Sequence, residues 1–175
     1  MASGPPAGKP PCTAACTLSP TASMISSPTL FTVSELRARD RADWEHLALE
    51  YQIFDDDFAS DAEMARAWTR LTVTREIRGL GALVDDRLVG IAHFHMHEHV
   101  WHGTVCYLED LFVDEQMRKL GIGRALIEHV ALAARTQGCF RLYWVTKHNN
   151  VAARRLYDRI AIDTGYVRYD VPLDG

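Results

Sequence analysis

The stretch that decides the reading is Tyr107-Leu108-Glu109-Asp110-Leu111-Phe112-Val113, followed by Asp114-Glu115-Gln116-Met117 and then Arg118-Lys119-Leu120-Gly121-Ile122-Gly123-Arg124-Ala125-Leu126. An apolar strand runs into a basic, glycine-containing loop, and the loop opens an amphipathic helix. The first N–H groups of a helix lack internal partners, and the helix dipole concentrates positive potential there. Gly121 and Gly123 let main-chain amides approach a bulky anion, and Arg118, Lys119 and Arg124 add charge. The segment is built to hold a pyrophosphate. It is neither of two other phosphate loops: GxxxxGK[ST] is absent, and of the GxGxxG fingerprint only Gly121-x-Gly123 is present. A lone GxG also occurs as an ordinary tight loop. The weight therefore rests on RxxGxG lying between a strand and a helix.

Outward from this segment the period of the sequence alternates. Phe31 to Arg37 reads as a strand. Asp40 to Gln52 reads as a helix with Trp44, Leu47, Leu49 and Tyr51 as its apolar stripe. Ser60 to Thr72 reads as a second helix, with Ser60 and Glu63 in a capping-box pattern. Gly81 to Val84, Arg87 to His99 and Thr104 to Val113 read as an antiparallel meander, turned at Asp85-Asp86 and at Trp101-His102-Gly103. Gly121 to Thr136 is a helix with Ile122, Leu126, Val130 and Ala133 on one face, stopped by Gly138. Phe140 to Val145 is a short strand, Asn150 to Ile160 a helix, and Gly165 to Leu173 a closing strand. This order predicts an α/β (α+β) domain over 31–175, a mixed sheet with helices on both faces. Residues 1–30 are rich in Pro, Ala, Ser and Thr, a disordered or linker-like extension, with Met24 as an alternative start.

Composition narrows the function classes. The 175 residues carry 19 Lys and Arg against 23 Asp and Glu, a net charge of -4, which argues against a nucleic-acid partner. No apolar run approaches the roughly 20 residues that span a bilayer, so no membrane partner is expected. Cys12, Cys16, Cys106 and Cys139 form neither paired CxxC sites nor a dense disulfide framework, which fits a reducing cytoplasm, with Cys106 and Cys139 as buried thiols.

The RxxGxG segment resembles motif A, [QR]xxGx[GA], of the GNAT (Gcn5-related N-acetyltransferase) superfamily, on Arg118, Gly121 and Gly123. A second signature of that family, N-x-x-A-x-x-L-Y, follows on Asn150, Ala153, Leu156 and Tyr157. Spacing alone places Asn150 and Tyr157 on one helix face two turns apart, with small Ala153 between them; an N-cap and a packed aromatic would give the same spacing. The resemblance implies a central, mostly antiparallel twisted sheet with helices on both faces. It implies acetyl-CoA as co-substrate, with no metal. Phe112 and Val113 are expected to offer main chain to the pantetheine arm, with Leu111 beside them. The run Arg118, Lys119, Leu120, Gly121, Ile122, Gly123 and Arg124 is expected to hold the pyrophosphate, and Asn150, Ala153 and Tyr157 to line the arm.

Acetyl transfer to an amine needs a base for the amine and an acid for the leaving thiolate. The resemblance assigns these roles to Glu109, with Asp110 second, and to Tyr157. Strand alternation predicts that only one of the two acids faces the cleft. The run from Tyr107 to Asp110 is similar to that of the diamine and polyamine branch, and the stretch after Tyr157 resembles fungal histone and polyamine acetyltransferase-like members. This implies a small primary amine as acceptor: a diamine, polyamine or amino acid. A protein lysine or N-terminus, and a non-catalytic acyl-CoA sensor, are the alternatives. The family also implies a homodimer. Two features lie outside the signatures. His93, His95, His97 and His99 share one strand face, as a metal site or as a polar wall of the cleft; neighbours roughly 7 Å apart favour the wall. Asp55, Asp56 and Asp57 form either an attractor for cationic acceptors or a solvated loop. The sequence also departs from the family pattern after Tyr157, where Asp158 to Thr164 precede Gly165-Tyr166 and predict a longer helix or an extra turn.

Overall fold

The computed structural model describes residues 30–173. The expected extension and the alternative start at Met24 fall outside them, apart from residue 30. Five strands, β1 (Thr32–Glu35), β2 (Arg78–Val84), β3 (Arg87–His99), β4 (Gly103–Val113) and β5 (Leu142–Tyr143), form one sheet in sequence order. The first three interfaces are antiparallel and β4 pairs with β5 in parallel. Asp85 and Asp86 turn β2 into β3 with both φ values positive, 48° and 62°, the backbone of a tight hairpin whose twist matches the strands.

Helices α1 (Arg41–Asp55) and α2 (Asp61–Thr69) cover one face of the sheet and α3 (Ile122–Thr136) the other; α4 (Val151–Ile160) follows β5. Each face has its own core. Trp44, Leu47, Ala48 and Trp68 pack with Ile91 and Phe112, while Ile122, Leu126, Ile127 and Val130 pack with Ala92, Phe94 and Leu108. The Ser60–Glu63 capping box forms, with Ser60 N–H donating to Glu63 Oε2 at 2.7 Å and Glu63 N–H to Ser60 Oγ at 3.4 Å. Among the described residues no helix is long and apolar enough to cross a membrane.

Four expectations are corrected. The α1 stripe is Trp44, Leu47, Ala48 and Tyr51, the i, i+3, i+4, i+7 set of a helix; Leu49 falls off that face and is half exposed. Helix α2 ends at Thr69 and passes into one π-type turn, Arg70–Thr74, rather than running to Thr72. Strand β5 is two residues long instead of six. The segment from Gly165 to Leu173 joins no strand among the described residues: Tyr166, Tyr169 and Leu173 are almost fully exposed. Strand character in a sequence becomes a strand only where a neighbour supplies the hydrogen bonds.

Candidate active site

The registers at β4 create the site. Strand β5 pairs with β4 only at Cys106 and Tyr107 and then leaves it. On the other side, Asp114 N–H donates to Val89 O at 3.0 Å, and Gly90 pairs with Val113, Ile91 with Phe112, and Ala92 with Leu111. Antiparallel alternation then commits the main-chain groups of Phe112 to β3 and turns those of Leu111 and Val113 toward the gap that β5 vacates. The Val113 carbonyl accepts from Arg118 Nε at 3.1 Å, as this orientation requires. Phe112 instead sends its ring into the α1-side core, so its expected main-chain role does not fit this register.

The gap leads to the glycine loop. After the single turn Glu115–Met117, Lys119 and Gly121 both take left-handed backbone, φ 67° and 86°. Gly121 is the residue before α3 and brings no side-chain cap, while Ala125 N–H is the first to reach its carbonyl. The amides of Ile122, Gly123 and Arg124 therefore lack intrahelical partners. A Cβ on Gly123 would meet only ordinary contacts, Leu156 at 3.5 Å and Val113 at 3.8 Å, so the protein itself leaves room there. The Arg118 guanidinium lies over the Phe112 ring at 5.5 Å, and Arg124 pairs with Glu128 at 2.7 Å.

Beside the gap lies a cavity of about 890 Å³ between the α1–α2 layer and the open end of the sheet. Both Glu109 and Asp110 line it, together with Tyr107, His93, Tyr51, Asn150 and Tyr157. This corrects the expectation that only one acid faces the cleft. His93 pairs with Asp110 and Phe94 with Leu108, so Glu109 is an extra residue in β4. A bulge of this kind sets two residues against one and re-aims the side chains.

The two acids are held differently. Trp44 Nε1–H donates to His93 Nε2 at 2.9 Å, so the His93 ring hydrogen sits on Nδ1 and donates to Asp110 Oδ2 at 2.8 Å. His93 is buried, and Tyr51 stands beside the same carboxylate. Burial first, and then the Asp110 charge, push the Tyr51 phenol well above its ordinary range. Glu109 has no such anchor: its side chain is 46% exposed and its Oε2 lies 3.7 Å from His95 Nδ1. Burial, and second the charge of Asp110, raise the Glu109 carboxyl above its usual range. That is the direction a general base working near neutral pH requires.

On the opposite side of the gap, Asn150 Oδ1 accepts from Ala153 N–H at 3.3 Å and caps α4, while its amide donates to Thr146 Oγ1 at 3.1 Å. Tyr157 packs edge-on against Trp144, ring centroids 5.2 Å apart, and burial raises its phenol. Asn150 caps α4 and Tyr157 packs as an aromatic, both lining the cavity, and Ala153 lies between them along the same side of the helix. Asp55 is tied across the cavity to Lys147 Nζ at 2.7 Å, and Asp57 also lines it. The strand histidines form a stepped aromatic row: His95 and His97 centroids lie 6.1 Å apart, and His97 Nε2 is 2.9 Å from the Tyr143 hydroxyl. Among the described residues no group of three or more His, Cys, Asp or Glu side chains is arranged to hold a metal ion. Cys106 is fully buried, its thiol pushed up to about 12 by that burial, and it takes no part in the cavity.

Sequence reasoning missed Trp44, Tyr51 and Arg168 as site residues. Trp44 and His93 are 49 residues apart, and their hydrogen bond has no local signature. A family model described as Acetyltransferase (GNAT) family matches residues 35–161. The D-amino-acid N-acetyltransferase HPA3 of Saccharomyces cerevisiae is 34% identical over 142 residues, covering 78% of this chain and 88% of that protein. A thialysine N-epsilon-acetyltransferase of Caenorhabditis elegans is 26% identical, covering 75% and 80% respectively. Among solved structures, AAC(6')-Iy in complex with the bisubstrate analog CoA-S-monomethyl-acetylneamine aligns with a TM-score of 0.72 at 17% identity, covering 82% of this chain and 99% of that one, a likeness of fold.

Proposed function

Because this chain belongs to the acetyltransferase (GNAT) family and is an acyltransferase, we propose that it moves an acetyl group from acetyl-CoA directly to the primary amine of a small molecule. A single observation carries this reading: Glu109 and Tyr157 line one cavity, beside the gap toward which Leu111 and Val113 turn their main-chain groups. In this reading Leu111 and Val113 pair with the pantetheine arm. The amides at the start of α3, with Arg118 and Lys119, hold the pyrophosphate. Glu109 takes the proton of the incoming ammonium, and Tyr157 protonates the departing thiolate. Asn150 and Ala153 border the arm. The chemistry needs no metal.

An amino acid is the favoured acceptor over a diamine or polyamine. The cavity wall mixes carboxylates (Asp55, Asp57, Glu63) with cations (Arg66, Arg70, Lys147), a lining suited to a zwitterion rather than to a pure polycation. The relatives named for D-amino-acid and thialysine acetylation support the same choice. The working unit in this reading is one domain over 31–175, acting in a reducing cytoplasm and paired as a homodimer through its exposed C-terminal segment.

The test is release of free thiol from acetyl-CoA with D- and L-amino acids, lysine analogues, diamines, polyamines and a lysine peptide. Turnover with amino acids at a kcat/KM well above that of the peptide is expected. Preference for the peptide would make this a protein acetyltransferase. Tight coenzyme binding without turnover on any amine would make it an acyl-CoA sensor.

A further inference from the structure

Two histidines of β3 face the two acids, and they differ in one respect. His93 has both ring nitrogens engaged, accepting from Trp44 and donating to Asp110, so it has no free position for another proton. His95 is half-buried, flanked by the rings of His97 and Tyr107 at 6.1 and 5.6 Å. Its Nδ1 is buried and has no hydrogen-bond partner among the described residues. Glu109 Oε2 lies 3.7 Å from that nitrogen. A bare imidazole nitrogen facing an ionised carboxylate sets acceptor against acceptor and holds the two apart, and one proton on either group lets them close into a charge-assisted hydrogen bond.

We propose that His95 and Glu109 share one proton and together take up the proton that the acceptor ammonium loses, His95 acting through Glu109. The inference rests on the reading that Glu109 is the base. The proton balance is complete. One ammonium N–H breaks and its proton passes to Glu109, then to His95 Nδ1. The amine nitrogen forms its bond to the acetyl carbon as the carbon–sulfur bond breaks. Tyr157 gives its proton to sulfur and regains one from the nitrogen as that becomes an amide. His95 finally yields its proton to solvent, the one net proton of the reaction.

Groups from each neighbouring element act on this pair. Asp110 on β4 favours retention of the proton and Arg168 in the C-terminal segment opposes it, while His93 on β3 stays neutral as the donor to Asp110. Tyr107 and Tyr51 stand near the Glu109 charge, and His97, bonded to Tyr143 of β5, faces the outer side of His95. A shared proton makes the acid limb of kcat/KM a property of the His95–Glu109 pair, so that limb moves when either member is replaced.

The experiment compares pH profiles of wild type, His95→Gln and Glu109→Gln. His95→Gln should keep KM for acetyl-CoA, lower kcat about tenfold and move the acid limb downward. A His95→Gln limb that superimposes on the wild type, with or without a uniform loss of rate, would overturn the pairing. Undiminished turnover in Glu109→Gln would instead overturn the role of Glu109 itself. Ring-nitrogen NMR of His95 gives a reading independent of turnover. Its titration should shift between wild type and Glu109→Gln, and identical curves would refute the shared proton.

Discussion

Replacing Tyr157 by Phe removes one oxygen and little that the fold uses. The ring keeps its edge-on contact with Trp144, and burial alone accounts for the shift of its phenol, with no hydrogen-bond partner contributing. The stability change should therefore stay within about 0.5 kcal/mol, an expected Tm shift of about 1–2 °C for a chain of this size. The catalytic effect should be far larger. Burial raises the phenol, so the protonated form persists through neutral pH and into the alkaline range, which is the form a general acid needs. Losing such an acid costs about 10²–10⁴ in rate, or about 3–5 kcal/mol of barrier. Thiol release at saturating acetyl-CoA and acceptor measures kcat, a thermal melt measures stability, and KM for acetyl-CoA reports binding. A kcat loss of about 10² or more with an unchanged melt supports the assignment. A loss below about tenfold would refute it, because Phe cannot protonate a thiolate.

Two further perturbations test the wall that carries the acids. Asp110→Asn keeps an acceptor for His93 Nδ1–H but removes the charge that, after burial, holds the Glu109 carboxyl up; activity that fails as pH falls should then fail at lower pH, so the acid limb of kcat/KM moves down, and an unmoved limb would show that the two acids are not coupled. Trp44→Phe strips the donor from buried His93 Nε2 and should cost about 1–3 kcal/mol in a denaturant melt, in addition to the loss of ring volume; full stability would mean that His93 finds another donor.

Much of this architecture was open to local reading. The Ser60–Glu63 box, the tight turn at Asp85-Asp86 and the α3 face of Ile122, Leu126 and Val130 all follow from residues within a few positions of one another. Alternation puts only one of Glu109 and Asp110 in the cleft because it assumes an unbroken ladder, and the bulge at Glu109 exists only in the pairing of β4 with β3. Leu49 was misread because it lies one position past the true stripe, where Ala48, small and unremarked, is the residue buried.

By itself the sequence determined the strand, the glycine loop and the helix from Tyr107 to Leu126, and with them an anion site, because helix starts and left-handed glycines are short-range properties of the chain. Tertiary structure alone decided which main chain turns toward the gap, where both acids point, and which histidine keeps an unpaired nitrogen. Those outcomes depend on how β3, β5 and α1 meet β4, and hydrogen-bond register between distant segments has no local periodicity to announce it.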